Sequence, residues 1–440
     1  MKRIRKNAEK IVEKLRKAGH IAYFAGGCVR DMEMGIEPKD YDIATSALPD
    51  NVISLFSKTL EVGAKFGVVV VILEGHKFEV ATFRTDTSYS DGRRPDSVIF
   101  SSPEEDVKRR DFTINGLLYD PFEKKILDFV GGREDIKRGI VRSIGDPFKR
   151  FEEDRLRMLR AVRFSSQLNF EIEPGTREAI IKLAPKINSV SVERITAELI
   201  KMFTGENADK ALETLQNTGL LKEILPEIEN LKGVAQPDKF HPEGDVFEHT
   251  KKMLGLLKNQ DETLAFAVLL HDVGKPATFR ITDRIRFNNH DVVGSEIADK
   301  ILRRLKFSNE TRKNVVDIVR NHMRFMHVKK MKESTLKKLM RRTTFKTEMQ
   351  LHKLDCLASH GSLEMYKFLK KKANELPPEQ IKPIPLIKGA DLVKIGFQPS
   401  PVFSKILSKV EELQLDGKLL SKDEAIEWVK ANFSTSKKNA

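Results

Sequence analysis

Two different periods of apolar and polar positions run along this chain. Over residues 1 to about 140, helix-period and strand-period stretches follow one another, whereas beyond about Asp146 the helical period persists alone. The opening stretch, MKRIRKNAEKIVEKLRKAGH, reads as an amphipathic helix ending near Ala18-Gly19. His20–Ala25 is a short apolar strand running into Gly26-Gly27. Cys28–Met34 starts a helix that Gly35 stops, Tyr41–Thr45 is a second strand, and Asn51–Ser57 is a helix. Gly67–Glu74 and Lys77–Phe83 read as a β-hairpin turning at Glu74-Gly75-His76. The helical remainder is broken at Pro174-Gly175, Pro185, Pro226, Gly233–Gly244 and Pro377–Pro385, and no strand of Val, Ile or aromatics is expected in it. The pattern predicts a multidomain α+β protein. A small mixed-sheet head spans 1–145, followed by an all-α neck over 146–235, a helical body over 236–375 and a helical tail over 376–440 that frays at its Lys-rich end, Ser434–Ala440.

Composition adds three constraints. No run of eighteen apolar residues exists, so no membrane span is expected, and the basic N-terminus lacks the apolar core of a signal peptide. The two cysteines, Cys28 and Cys356, are far apart and suit a reducing cytoplasm, not a disulfide framework. The net charge of +14 favours a polyanionic partner, nucleic acid above all, over a generally charged surface. Most of the excess is one stretch: from Arg320 to Lys346 ten Lys/Arg face a single acid, Glu333.

The strongest chemical signal is Asp40-Tyr41-Asp42, which begins fourteen residues after Gly26. In a strand, positions i and i+2 share a face, so the two carboxylates suit Mg²⁺ held against phosphate oxygens. The glycine pair lets backbone N–H groups approach a triphosphate. Glu79, on a later strand, could supply a third carboxylate, and the guanidiniums of Arg109-Arg110-Asp111 could clamp phosphate and ribose. Glu153–Arg160 is expected to be helical, with Asp154, Arg157 and Arg160 on one polar arc. There Asp154 and Arg157 could present an acceptor–donor pair to a base edge, or simply form a surface i,i+3 ion pair.

FAGGCVRD, DYDIAT, EVATFRTD, DGRRPDSVIF, RRDFTING and EEDRLRMLRAVRF, in this order over roughly the first 165 residues, resemble the head of the class II tRNA nucleotidyltransferase and bacterial poly(A) polymerase family. The resemblance implies that Asp40 and Asp42 bind catalytic Mg²⁺, with Glu79 as a third carboxylate. It implies that Gly26, Gly27 and Arg30 contact the triphosphate, and Arg110 and Asp111 the ribose and phosphates. Glu153-Asp154-x-x-Arg157 is similar to the family's base-selecting motif, so Asp154 and Arg157 become the protein template, with Arg160 and Arg163 as further nucleotide contacts. Arg163 falls near the apolar side of the helix and is assigned by resemblance alone. The implied reaction is two-metal, in-line transfer of C, C and A from CTP and ATP to the 3′ end of tRNA. Gly63-Ala64-Lys65-Phe66-Gly67 looks like the tRNA-adding form and not the poly(A)-adding one. Arg84–Arg93 fills the place of a flexible loop expected to be missing from CC-only enzymes. The alternatives are an A-only or poly(A)-type adenylyltransferase, a metal-dependent phosphohydrolase with a nucleotide-binding head, and a non-enzymatic tRNA-binding protein. Nothing in the sequence sets an oligomeric state.

A second constellation occupies the body. His249, His271-Asp272, His290, His322 and Asp355 supply imidazoles and carboxylates in the order H…HD…H…H…D, which resembles the HD phosphohydrolase superfamily over about residues 240–360. This implies a site for a divalent transition metal (Ni, Mn or Co) and a phosphatase, 2′-nucleotidase or 2′,3′-cyclic phosphodiesterase activity on tRNA ends. His241, His327, His352 and His360 are read as ordinary surface or core histidines. The adjoining basic residues, Lys329, Lys330, Lys332, Lys337, Lys338, Arg341 and Arg342, are expected to contact phosphates of the tRNA acceptor arm.

Overall fold

The computed structural model describes residues 2–63, 66–86, 98–237 and 244–433. They divide into two compact units. One comprises Met1–Asn230, Leu257–Glu262 and Ile301–Phe307; the other comprises Leu231–Leu256, Thr263–Lys300 and Ser308–Ala440.

The first unit opens with the expected helix, Lys2–Lys17, whose Ala8, Ile11, Val12 and Leu15 form one buried stripe. Its strands are β1 (Ala22–Ala25), β2 (Asp42–Thr45), β3 (Thr59–Gly63), β4 (Val68–Leu73), β5 (His76–Thr82), β6 (Arg84–Asp86), β7 (Val98–Phe100), β8 (Leu117–Asp120), β9 (Lys125–Asp128), β10 (Ile140–Val141) and β11 (Glu171–Ile172). Seven of them form a mixed sheet in the order β3-β4-β5-β2-β1-β8-β9. The hairpin expected at Glu74-Gly75 is β4–β5, and β2 lies parallel to β5 with Ile43 opposite Val80. In the centre, β1 and β2 pair antiparallel with Ala25 opposite Asp42. That register brings the turn after β1 beside the aspartates at the head of β2. Gly26 makes the turn at φ +76, and a Cβ there would come 3.0 Å from Arg110 Nη1, so the position is both strained and crowded for any other residue.

Two expectations fail. Strands do occur beyond the first third: β11 pairs parallel with β10, and β12 (Phe279–Ile281) and β13 (Ile285–Phe287) form a hairpin in the second unit. These strands have two or three residues each, too short for a period-2 pattern to emerge. The helix expected over Glu153–Arg160 is interrupted: one helix ends at Glu153, Asp154 is extended (φ −144, ψ 101), and the next runs Leu156–Leu168. Asp154 competes with the helix for its own backbone, its Oδ1 accepting the N–H of Leu156 at 3.1 Å. Only Arg157 and Arg160 therefore share a helical arc.

The second unit is mostly helical. Glu262–Leu270 is buried from Leu264 to Leu270 on every face and delivers His271-Asp272 at its end. The turn that follows packs against the helix His290–Arg304, because Gly274 lies so close that a Cβ would meet the His290 carbonyl oxygen at 2.2 Å and Gly294 N at 2.5 Å. Ile387, Leu392, Phe397, Ile406, Val410, Leu419, Ala425 and Val429 form a separate apolar core near the C-terminus. We expect Gly274→Ala to destabilise the protein by about 1–3 kcal/mol, as overpacking does, read as a lower urea midpoint at unchanged m-value.

Candidate functional site

In the first unit a cavity of about 680 Å³ gathers Gly26, Gly27, Arg30, Asp40, Asp42, Arg110, Asp111, Asp154, Arg157, Arg160 and Arg163. All were singled out from the sequence. Arg84, Arg109, Asn115, Phe164 and Lys201 also line it. Tyr41 is buried, while Asp40 and Asp42 both face outward. Asp42 keeps an exposed surface, yet the protein packed around it desolvates its carboxyl; this, then the carboxylates of Glu79 and Asp40, push it up to about 6 against the pull of Arg110. Such crowding of like charge suits a hard divalent cation, and carboxylate oxygens fit Mg²⁺. Glu79 sits on β5, exposed and outside the lining residues, and reaches Asp42 electrostatically.

The cations of the cavity are held by hydrogen-bonded acids. Arg30 donates from Nε and Nη2 to Asp31 Oδ1 (3.0 and 2.7 Å) and from Nη1 to Asn115 Oδ1 (2.6 Å). Asn115 Nδ2 donates to Asp111 Oδ1 at 3.1 Å, and Asp111 Oδ2 accepts from Arg160 Nε and Nη2 at 2.8 and 2.5 Å. Arg109 and Arg110 both bind Asp106, which is 1% exposed, at 2.6 and 3.1 Å. Asp106 was missed in the sequence, although its i,i+3 and i,i+4 spacing to the two arginines on a short helix is the signal that would have found it.

The neck residues are equally constrained. Arg157 is buried and donates to Glu153 Oε2 (2.8 Å) and to the Arg150 carbonyl (2.9 Å). Asp154 Oδ2 accepts from Arg194 Nη2 at 2.8 Å. Arg163, which the helical wheel sets near the apolar side, reaches the cavity edge across Phe164, its guanidinium 4.1 Å from the ring centroid, and donates from Nε to Glu198 at 2.6 Å. Arg30 and Arg160 also lie over that ring, each at 5.4 Å. Arg194 and Glu198 carry no motif of their own in the sequence, and Phe164 closes the stretch EEDRLRMLRAVRF without having been given a role there.

In the second unit all six expected ligands converge. Among the described residues, two groups of three have donor atoms all within 4.8 Å of one another: His249, His271 and Asp355, and Asp272, His290 and His322. Nδ1 of His271, His290 and His322 lies 2.6–2.8 Å from the carbonyls of Val268, Phe287 and Val319. A carbonyl only accepts, so each Nδ1 carries the proton and each Nε2 keeps its lone pair. The Nε2 atoms of His290 and His322 then face each other at 3.2 Å, with Asp272 Oδ1 at 3.5 and 3.8 Å. Two lone pairs so placed attract nothing until a cation comes between them. Burial and the neighbouring His290 hold His322 down at about 4, against the opposite pull of Asp272, which keeps its ring neutral near pH 7. Burial raises Asp355, but the hydrogen bond and charge of His249 outweigh it and hold the carboxyl well below its ordinary range. A cavity of about 450 Å³ opens on this cluster. Buried His352 and exposed His360 line it, outside both groups of three, as do Arg284 and Arg286 of the β12–β13 hairpin. His241 lies outside the described residues.

The basic stretch expected to bind RNA also makes ion pairs within the fold, two of its residues through buried partners. Lys337 is buried, with Nζ on the Leu415 carbonyl at 2.8 Å, and Arg342 binds Asp317 and buried Glu348. Arg341 and Lys338 pair with Glu411, Lys332 with Glu412 and Lys329 with Glu364, while Lys330 is exposed. The compensating acids come from distant helices, which a local charge count does not register.

The family model for the poly A polymerase head domain matches residues 22–142. The model for a probable RNA and SrmB-binding site of polymerase A matches 169–232, and that for a putative tRNA nucleotidyltransferase domain 2 matches 291–429. The CCA-adding enzyme of Leuconostoc mesenteroides is 33% identical over 425 residues, 96% of this chain and 94% of that protein. The CCA-adding enzyme of Geobacillus stearothermophilus is 51% identical over 211 residues, 48% of this chain; that match spans about half (52%) of the relative's length. The crystal structure of the Bacillus stearothermophilus CCA-adding enzyme in complex with CTP superposes with a TM-score of 0.75 at 29% identity, covering 97% of this chain and 98% of that one.

The Asp111–Arg160 pair also carries a pH signature. Burial raises the Asp111 carboxyl, but the Arg160 guanidinium and the Asn115 amide outweigh it and hold it at about 2. Its stabilisation is complete above the unfolded value of about 4 and is lost as pH falls through about 2. Asp111→Asn should therefore flatten the pH dependence of unfolding free energy between about 4 and 2, measured by denaturant titration.

Proposed function

The chain belongs to the CCA-adding enzyme family, and on that footing we propose that it adds C, C and A to the 3′ end of tRNA from CTP and ATP, without a nucleic-acid template. The observation that carries this reading is one cavity lined by the Asp40/Asp42 pair, the Gly26-Gly27 turn with Arg30 and Arg110, and the Asp154–Arg157 pair. Asp40 and Asp42, with Glu79 nearby, would hold Mg²⁺, which lowers the pKa of the RNA 3′-OH and offsets charge on the departing pyrophosphate. Arg30 and Arg110 grip the triphosphate, and Asp111 orients the ribose. Asp154 accepts from the exocyclic amine of C or A, and Arg157 donates to the neighbouring ring nitrogen or carbonyl. Full CCA addition is favoured over CC-only addition by the segment Arg84–Arg93, of which residues 87–93 lie outside the described residues, as do Ala64 and Lys65 of the tRNA-type stretch. No helix among the described residues is long and apolar enough to cross a membrane, and buried Cys28 and Cys356 agree with a reducing cytoplasm.

A second reading concerns the histidine cluster. His249, His271 and Asp355 would hold one divalent transition-metal ion, and Asp272, His290 and His322 a second. The facing Nε2 atoms of His290 and His322 favour it. A metal there supplies a hydroxide at neutral pH, which suits hydrolysis of phosphate ends on tRNA. Lys275 Nζ, 2.6 Å from Asp272 Oδ2, keeps that carboxylate oriented.

Incubation with tRNA transcripts ending at the discriminator base, at C and at CC should give CCA on each. Addition of A alone, or of a run of A, would replace the CCA reading by the adenylyltransferase one. Asp40→Ala with Asp42→Ala should lower incorporation at least about 10³-fold, and survival of CTP and ATP incorporation would sink the assignment. For the histidine cluster, purified full-length protein dialysed against Mn²⁺ or Ni²⁺ should retain the metal by elemental analysis. His290→Ala should lose part of it, and Asp272→Ala should abolish opening of 2′,3′-cyclic AMP while CCA addition persists. No retained metal and no hydrolysis would remove this second activity.

A further inference from the structure

The helix Val192–Thr204 lies beside the nucleotide-reading residues without contributing to any motif recognised in the sequence. Arg194, Glu198 and Lys201 stand at i, i+4 and i+7, hence on one face. Ile195, Leu199, Met202 and Phe203 are buried and fix the rotation of the helix. From this rail Glu198, 3% exposed, holds Arg163 at 2.6 Å, and Arg194 holds Asp154 at 2.8 Å.

Asp154 depends on that contact more than an ordinary helical residue would. Its backbone is extended between two helices, and its N–H reaches the Arg150 carbonyl only at 3.4 Å. Its side chain is anchored at both ends instead, Oδ1 on the Leu156 N–H at 3.1 Å and Oδ2 on Arg194. With both oxygens engaged, the carboxylate plane is fixed and the remaining lone pairs have set directions. C and A present an amine to such an acceptor, whereas U and G present a carbonyl whose lone pairs repel it.

We infer that Arg194 is a positioning residue for base selection, acting through Asp154. This rests on the reading above, in which Asp154 takes the exocyclic amine. Removing Arg194 frees the carboxylate to turn about its side-chain torsions, so the amine loses a fixed acceptor and the carbonyl loses a fixed repulsion. The triphosphate grip at Arg30 and Arg110 is untouched, so the loss falls on discrimination and on the turnover of the correct nucleotide.

The test uses the full chain and a tRNA transcript ending at the discriminator base, with CTP against UTP, and one ending at CC, with ATP against GTP. Arg194→Ala is expected to lower both selectivity ratios about tenfold, as loss of a charge-assisted hydrogen bond does, with KM for the correct nucleotide moving less than kcat. Arg194→Met keeps the apolar stem and should reproduce the loss if the alanine variant folds poorly. Arg194→Lys should recover part of the ratio, since one donor remains without the guanidinium fork. Glu193→Ala, which breaks a surface pair with Lys306 on the same helix, should leave both ratios at the wild-type level. A folded Arg194→Met enzyme with unchanged ratios overturns the inference, and so does an equal fall in rate with all four nucleotides. Failure of the wild type to prefer C and A would instead overturn the reading on which the inference rests.

Discussion

Antiparallel pairing of β1 with β2 sets Ala25 opposite Asp42, and the chemistry of the first unit depends on that register. A slip of one residue would turn Asp42 into the core and bring Ile43 out. In the observed register, the chain leaves β1 at Gly26, turns with positive φ, and starts a helix beside the aspartates. The space left by the missing Cβ is taken by Arg110, so a backbone constraint and a charge constraint meet at one atom. The parallel neighbour β5 then brings Glu79 toward Asp42 from the other side.

A cavity lined by so many guanidiniums would repel itself if each charge were free. Buried or half-buried acids prevent this: Asp106 serves Arg109 and Arg110, Asp111 serves Arg160, Glu153 serves Arg157 and Glu198 serves Arg163. For Arg110, Arg157, Arg160 and Arg163 the acid engages only part of the guanidinium fork and fixes its direction, which is the arrangement a triphosphate and a base edge need. Phe164, under three guanidiniums, provides a flat surface that limits their orientations further.

The second unit solves a different problem with softer donors. Carbonyl oxygens one turn before His271, His290 and His322 accept a hydrogen bond from each Nδ1–H, which turns the opposite nitrogens of His290 and His322 toward each other. That convergence is destabilising for an empty cluster and favourable for one holding a metal. Nearby, Lys337 and Arg342 join elements of the fold through buried partners, while Lys329, Lys332, Lys338 and Arg341 form ion pairs that stay open to solvent.

The sequence by itself determined the first helices of the head, the strands β1 and β2 and the β4–β5 hairpin, the Gly26-Gly27 turn, the aspartate pair and the six-residue histidine–aspartate pattern; it did not show β3, β8 and β9 of the same sheet. The head features depend on local periodicity and on motifs whose members lie near one another along the chain, whereas the histidine–aspartate pattern, spread from His249 to Asp355, is legible through its order. Tertiary structure decided what long-range partners control: the break at Asp154, the capture of Asp154 by Arg194 forty residues away, the pairing of Arg163 with Glu198, the exposed position of Glu79 and the distant acids that pair with the basic stretch. The short strands β10 to β13 belong to the same class, because their pairing comes from neighbours across the fold and not from any apolar repeat of their own. A side chain's charge is written in the sequence, but its partner and direction are set by which distant backbone the packed core brings within hydrogen-bonding reach.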